Sequence, residues 1–187
     1  SNKVLGNATL LATGPYEIPN VATNTYAVYT NDVPGAAFRG FGGPQAAFMA
    51  ESQVNKLAQA LKMDPVELRM RNLFKEGSII SMGSVLPPGV SIRAVTERCA
   101  LEAGWRQTKE GWVASQAPTS EKAYIKSGWA LTCGYKNVGF SYGAPENCGA
   151  TIILEGDRQI EVAKLYHAGA EVGQGSHTIF AQMAADA

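Results

Sequence analysis

At 187 residues, 45% of them hydrophobic, the chain is long enough to bury a core without disulfides or a structural metal. Sixteen basic residues balance sixteen acidic ones, so no positive field exists to draw nucleic acid or an anionic membrane, and neither is expected as a partner. No apolar run reaches the roughly 18 positions of a membrane span, and Ser1-Asn2-Lys3 opens no signal-peptide core, so a cytoplasmic protein is expected.

Residues 3–13 and 21–30 are short apolar stretches rich in Val, Leu, Thr and Tyr, divided by Gly14-Pro15 and Pro19-Asn20, and both are predicted to be extended. A turn at 31–35 leads into residues 36–45, a loop too rich in glycine for helix or ordinary strand. Pro44 suits the first position of a helix, along which Ala47, Ala50, Val54, Leu57, Ala58 and Leu61 recur at three- and four-residue spacing. A second helix starts more sharply: Asp64 is a candidate N-cap, Pro65 belongs in a first turn, and Glu67 stands at the reciprocal capping position. It should run to about Asn72. After an irregular stretch, Ser91 can cap a third helix with Ile92, Val95, Cys99 and Ala103 on one face, ended by Gly104.

Residues 107–126 are polar with little periodicity and form the best candidate for a linker between lobes. Strands are predicted over 128–134, 149–154 and 159–166, with Gly156-Asp157 as a hairpin turn. A second glycine loop, 168–176, opens a final helix. The expected fold is α+β, with short mixed strands and helices in two lobes. Ile179, Phe180, Met183 and Ala184 form an amphipathic run that meets neither glycine cap nor proline stop, so a fragment of something longer is expected.

Three cysteines, Cys99, Cys133 and Cys148, show no CxxC spacing, which argues against a zinc ribbon or iron–sulfur cluster and predicts buried or partly buried thiols. His167 and His177 lie outside any HExxH pattern, so no metal held by protein side chains is expected. The two glycine loops share a physical purpose. Amides at a helix start are unpaired and the dipole end is positive, so each invites an anion, unless the glycines merely solve tight turns. Neither loop matches GxxxxGK[ST] or a convincing GxGxxG.

Arg39, between Phe38 and Phe41, offers a cation and a donor fork beside aromatic faces, with no acid within six residues. Gln174, between Gly173 and Gly175, can donate and accept where the backbone can come close to a ligand. Glu171 and His177 flank it, and are read as a solvated glutamate and a helix-start histidine rather than as an acid–base pair. Phe140 sits between Gly139 and Gly143, where it either packs in the core or presents a ring from a flexible turn.

At Ala37-Phe38-Arg39-Gly40-Phe41-Gly42-Gly43-Pro44-Gln45 the sequence resembles the molybdenum-binding subunit of the xanthine dehydrogenase and aldehyde oxidase family. Tyr16-Glu17-Ile18-Pro19-Asn20 upstream, Arg71-Asn72-Leu73-Phe74-Lys75-Glu76-Gly77 downstream and Glu171-Val172-Gly173-Gln174-Gly175-Ser176-His177-Thr178 agree in order. The resemblance implies a molybdopterin cofactor, in some members the cytosine dinucleotide form, and hydroxylation of a heteroaromatic or aldehyde carbon with oxygen from water. It implies that Phe38, Arg39 and Gly40 lie beside the cofactor, with Arg39 in a catalytic role. Phe41 and Phe140 become the aromatic walls of the substrate site, and Gly173, Gln174, Gly175 and Ser176 a second cofactor loop.

Family members also carry a glycine loop before this region and a catalytic glutamate after it, neither of which is in this sequence. Asn7 stands where some xanthine-specific members place an arginine. The implied partners are the remaining parts of the molybdenum subunit and the iron–sulfur and FAD modules, so the chain alone is expected to be inactive. Residues 1–106 would end one cofactor-binding subdomain, 107–126 link, and 127–187 begin the next. Two rival readings are a non-catalytic scaffold and a phosphate- or nucleotide-binding module built on the glycine loops.

Overall fold

The chain opens on a helix, α1 (Asn2–Leu10), where an extended segment was expected. Its Val, Leu and Thr residues favour a strand only weakly, and tertiary packing decides. Leu10 and Leu11 bury against Ala46, with Ala8, Met82 and Tyr135 packed around them. Residues 21–30 form no strand. The computed structural model describes residues 2–33, 35–114, 119–120, 122–139, 143–145 and 147–187. It divides into two units, Ser1–Gly143 and Ala144–Ala187, which are taken separately below.

In the first unit, α2 (Gly43–Leu61) begins one residue before Pro44, which stands in its first turn, and ends where Lys62 turns left-handed at φ 51°. Its buried residues are Gly43, Ala46, Glu51 and Ala58, whereas Leu57 and Leu61 are about half exposed. Small residues let neighbouring helices approach, so the large aliphatics of the expected stripe stay at the rim. Helix α3 (Pro65–Asn72) has Asp64 as its N-cap, with Oδ1 accepting from the Val66 amide at 2.7 Å. Glu67 does not return the favour. It accepts from the Trp112 amide at 2.9 Å, which, with the Arg71 guanidinium, holds its carboxyl below the usual range.

Helix α4 (Ile92–Glu102) buries Thr96 and Ala100; of the predicted face, Ile92 and Ala103 pack against the core, while Val95 and Cys99 are exposed. Strands β1 (Arg106–Thr108) and β2 (Gly111–Val113) make an antiparallel hairpin at the start of the polar stretch. Trp112, only 4% exposed, anchors that hairpin in a core shared with Tyr16, Val66, Met70, Leu73, Ala100, Trp105 and Cys133. The strand expected over 128–134 does not form.

In the second unit, β3 (Ala150–Glu155) pairs antiparallel with β4 (Val162–His167), close to the predicted limits. The turn needs Gly156: at φ 154°, a Cβ there would stand 2.0 Å from the Gln159 carbonyl oxygen. Helix α5 (Ser176–Asp186) follows the second glycine loop as expected and carries no buried residue. Among the described residues, no helix is long and apolar enough to cross a membrane. The fold class is α+β, mixing helices with small two-stranded sheets.

Candidate functional site

The first glycine loop is two consecutive tight turns, in which the Phe41 amide donates to the Phe38 carbonyl and the Gly43 amide to the Gly40 carbonyl. Gly40 and Gly42 take φ of 88° and 96°, conformations that side chains with a Cβ avoid. Gly42 also solves a packing problem, because a Cβ there would lie 2.1 Å from the Val4 carbonyl oxygen of α1. Its amide donates to Gln45 Oε1 at 3.0 Å, closing the start of α2. Phe38 is 80% exposed and Arg39 is exposed beside it.

Phe41 is half-buried, with Lys136 Nζ over its ring at 5.6 Å, within cation–π range. Buried Asn7 donates from Nδ2 to the Phe41 carbonyl at 3.2 Å. Asn7 therefore braces the loop that carries Phe41. Phe140 lies outside the described residues, as do Ser141 and Tyr142.

The second glycine loop meets the expected demand for an anion from within. Glu171 Oε1 accepts from the Gly173 amide at 2.7 Å and the Gly175 amide at 3.0 Å, and Oε2 from the His177 amide at 3.3 Å. These bonds, that from Gly175 foremost, hold its carboxyl down at about 2. The flanking glutamate is exposed, as the sequence reading has it, and its carboxylate also serves the amides at the start of α5. Gln174 folds onto the same loop: Oε1 accepts from the Val172 amide at 2.7 Å, and Nε2 donates to the Ala170 carbonyl at 2.8 Å and to Ser176 Oγ at 2.7 Å. His167 stands 5.4 Å from the His177 ring and edge-on to Phe180 at 4.8 Å, which ties the end of β4 to the start of α5. Among the described residues, no group of three His, Cys, Asp or Glu side chains could hold a metal ion.

Sequence reasoning missed a buried polar hub in the first unit. Arg69, fully buried, donates from Nε to Glu51 Oε2 at 2.9 Å, pairs with the same carboxylate through Nη2 at 2.7 Å, and reaches the Pro65 carbonyl through Nη1. Glu51 also accepts from the Tyr16 hydroxyl and from the Cys133 amide at 2.9 Å. Thr96 Oγ1 lies 3.4 Å from Cys133 Sγ. Burial pushes the Tyr16 hydroxyl well up, helped by its bond to Glu51, and raises the Cys133 thiol. The Cys133 amide serves this carboxylate where a strand would have spent it on a ladder. A signal was present: Glu51 falls on the stripe Ala47, Val54, Ala58, and Arg69 on the stripe Val66, Met70, Leu73. Opposite charges on two buried stripes read as a pair.

A cleft of about 670 Å³ runs beside α2 and α3, lined by Ile18, Val21, Met49, Val54 and Leu57 among others, and no predicted site residue lines it.

Two family models, each described as a molybdopterin cofactor-binding domain, match residues 1–73 and 98–187. The chain is 32% identical over 191 aligned residues to xanthine dehydrogenase of Oryza sativa subsp. japonica, covering 97% of this chain and 13% of that protein. It is 39% identical over 110 residues to the nicotinate dehydrogenase large molybdopterin subunit of Eubacterium barkeri, covering 57% of this chain and 26% of the relative. An aldehyde oxidoreductase structure from Desulfovibrio gigas aligns at 30% identity and a TM-score of 0.45, over 55% of this chain and 11% of that one. Arg39 and Gln174 fall one in each of the two matched stretches, and the chain belongs to the molybdopterin cofactor-binding domain family.

Proposed function

We propose that this chain is part of a molybdopterin-dependent oxidoreductase that hydroxylates an electron-poor carbon of a heteroaromatic ring or an aldehyde with water-derived oxygen. The observation that carries this reading is the ordered match of two cofactor-binding models, each containing one glycine loop. The donor chemistry fits a phosphorylated pterin. Arg39 brings a cationic fork, Gln174 an Oε1 with a second lone pair to accept a ligand donor, and Gly40 and Gly175 left-handed backbone that a ligand can approach closely.

When bound, the molybdenum cofactor supplies the two-electron redox chemistry and the oxygen transfer. The residues of this chain bind and orient. Phe38, Arg39 and Gly40 line the cofactor, with the Arg39 charge placed where negative charge develops in the transition state. Phe41 and Phe140 hold a planar substrate between aromatic faces. Gly173, Gln174, Gly175 and Ser176 form the second cofactor loop, and the cofactor is molybdopterin or its cytosine dinucleotide. Residues 1–106 end one cofactor-binding subdomain, 107–126 link, and 127–187 begin another. Iron–sulfur and FAD parts take the electrons onward in the cytoplasm, and the 187-residue chain alone does not turn over.

The test is the intact protein that contains this sequence. It should purify with stoichiometric molybdenum and oxidise nicotinate, purines or aldehydes, while the 187-residue chain should do neither. Replacing Arg39 with Ala should lower kcat by about two to three powers of ten with molybdenum retained, because a fixed cation helps most where charge develops. A near-normal kcat in that variant at full molybdenum loading rejects the role of Arg39, and a purified protein free of molybdenum rejects the function.

A further inference from the structure

We propose that Glu171 is a positioning residue: gripped by the amides of its own loop, its carboxylate sets the backbone shape that presents Gln174 and closes the start of α5 to an outside anion. This rests on the reading of Gln174 as a cofactor contact. Three amides converge on the two carboxylate oxygens, from Gly173, Gly175 and His177, at 2.7, 3.0 and 3.3 Å. They are the donors that a phosphate would need at this helix start, so the loop offers an incoming ligand the second lone pair of Gln174 Oε1 rather than its amides. Glu171 pins both backbone neighbours of Gln174, and the Gln174 side chain is braced in turn by Val172, Ala170 and Ser176.

Gly175 adds a constraint of a different kind. At φ 83° its backbone is left-handed, yet a Cβ there would meet nothing within 4 Å, so the glycine serves the bend and not a close neighbour. A left-handed residue held by a carboxylate four positions earlier is a local, self-sufficient clasp. Nothing else in the described loop supplies a negative charge to those amides.

Charge and reach both matter to this arrangement, which makes the substitutions informative. Glu171→Gln keeps one acceptor oxygen but turns the other into a donor facing the His177 amide. Glu171→Asp keeps the charge on a stem one methylene shorter.

The experiment has two parts. In the 187-residue chain, amide proton shifts and exchange rates of Gly173, Gly175 and His177 are compared for the wild type, Glu171→Gln and Glu171→Asp, with the β3–β4 amides as the check that the unit is folded. In the intact cofactor-loaded enzyme, molybdenum content, kcat, KM and the paramagnetic molybdenum signal are compared for the same variants and for Gln174→Ala. Expected is about tenfold faster exchange at the three amides in Glu171→Gln with the hairpin intact, the loss of a charge-assisted hydrogen bond. In the enzyme the same variant should keep its molybdenum, lose about tenfold in kcat with KM little changed, and shift the molybdenum signal in the direction of Gln174→Ala. Glu171→Asp should restore a substantial part of each.

Unchanged amide exchange in Glu171→Gln overturns the proposal. So does an unaltered kcat and molybdenum signal alongside an impaired Gln174→Ala, or a hairpin lost in Glu171→Gln that Glu171→Asp does not restore. If Gln174→Ala itself behaves as wild type, the cofactor reading of the loop falls, and the amide exchange alone then decides whether Glu171 shapes the loop.

Discussion

Two glutamates organise the two units in opposite ways. Glu51 is buried and gathers partners that lie 18, 35 and 82 residues away in sequence: Arg69, Tyr16 and the Cys133 amide. Glu171 is exposed and gathers amides 2, 4 and 6 residues away. Both carboxylates are well supplied with donors, so hydrogen bonding alone does not distinguish them. Range and burial do. A carboxylate satisfied across the chain ties several elements into one cooperative unit, whereas one satisfied by its own loop shapes only that loop.

The largest expected effect follows from the hub. Replacing Arg69 with Ala leaves the Glu51 charge buried and unpaired, and should cost about 3–5 kcal/mol in denaturant unfolding of the chain. Glu171→Ala should shift the same unfolding midpoint far less, because its bonds stay within one exposed loop. Equal shifts in the two variants would erase the distinction drawn between them.

The glycines of the two loops sharpen it further. Gly42 and Gly175 are both left-handed, so alanine at either should cost about 1–2 kcal/mol from the backbone conformation alone. Only at Gly42 does the added Cβ also strike the backbone of another element, at Val4, so Gly42→Ala should be the more damaging in thermal melts. A melting temperature lowered equally by both would mean that α1 yields at no cost.

A smaller effect is expected at Phe41, which Asn7 and Lys136 hold in place. In the intact enzyme Phe41→Ala should keep its molybdenum and lose about threefold to twelvefold in kcat/KM for aromatic substrates, the range of one stacking contact, and less for small aliphatic aldehydes. Loss of molybdenum would make Phe41 a wall of the cofactor site instead.

The smallest effects are those of pH, and they fall at opposite ends of the scale. Cys133 and Tyr16 have raised values when folded, so their contribution is intact below the ordinary thiol value of 9.0 and is lost as pH rises beyond it. Glu171 is depressed, so its contribution is present above the ordinary value of 4.5 and disappears only as pH falls through about 2. Denaturant unfolding should therefore weaken above pH 9, and less so in Tyr16→Phe, while the Gly175 and His177 amide shifts should hold steady from pH 7 to pH 4. Loop amides that titrate near pH 4.5 would show a carboxylate not held by them.

Much of the local architecture was legible in the residues themselves. Asp64-Pro65 starts a helix, Gly42 and Pro44 start another, Gly156 turns a hairpin, and the second glycine loop opens α5, because each of these features is settled within a few residues by capping, fixed φ or steric freedom. The motifs around Arg39 and Gln174 carried the family in the same way, by short ordered runs. Tertiary structure alone decided the rest. Residues 2–10 form a helix whose end packs Leu10 and Leu11 against Ala46, and 128–134 forms no strand, its Cys133 amide bonding Glu51. The sequence carried Glu51 and Arg69 in plain view on their stripes, but a charge commits to burial only when its partner arrives, and here the donors come from as far as 82 residues along the chain.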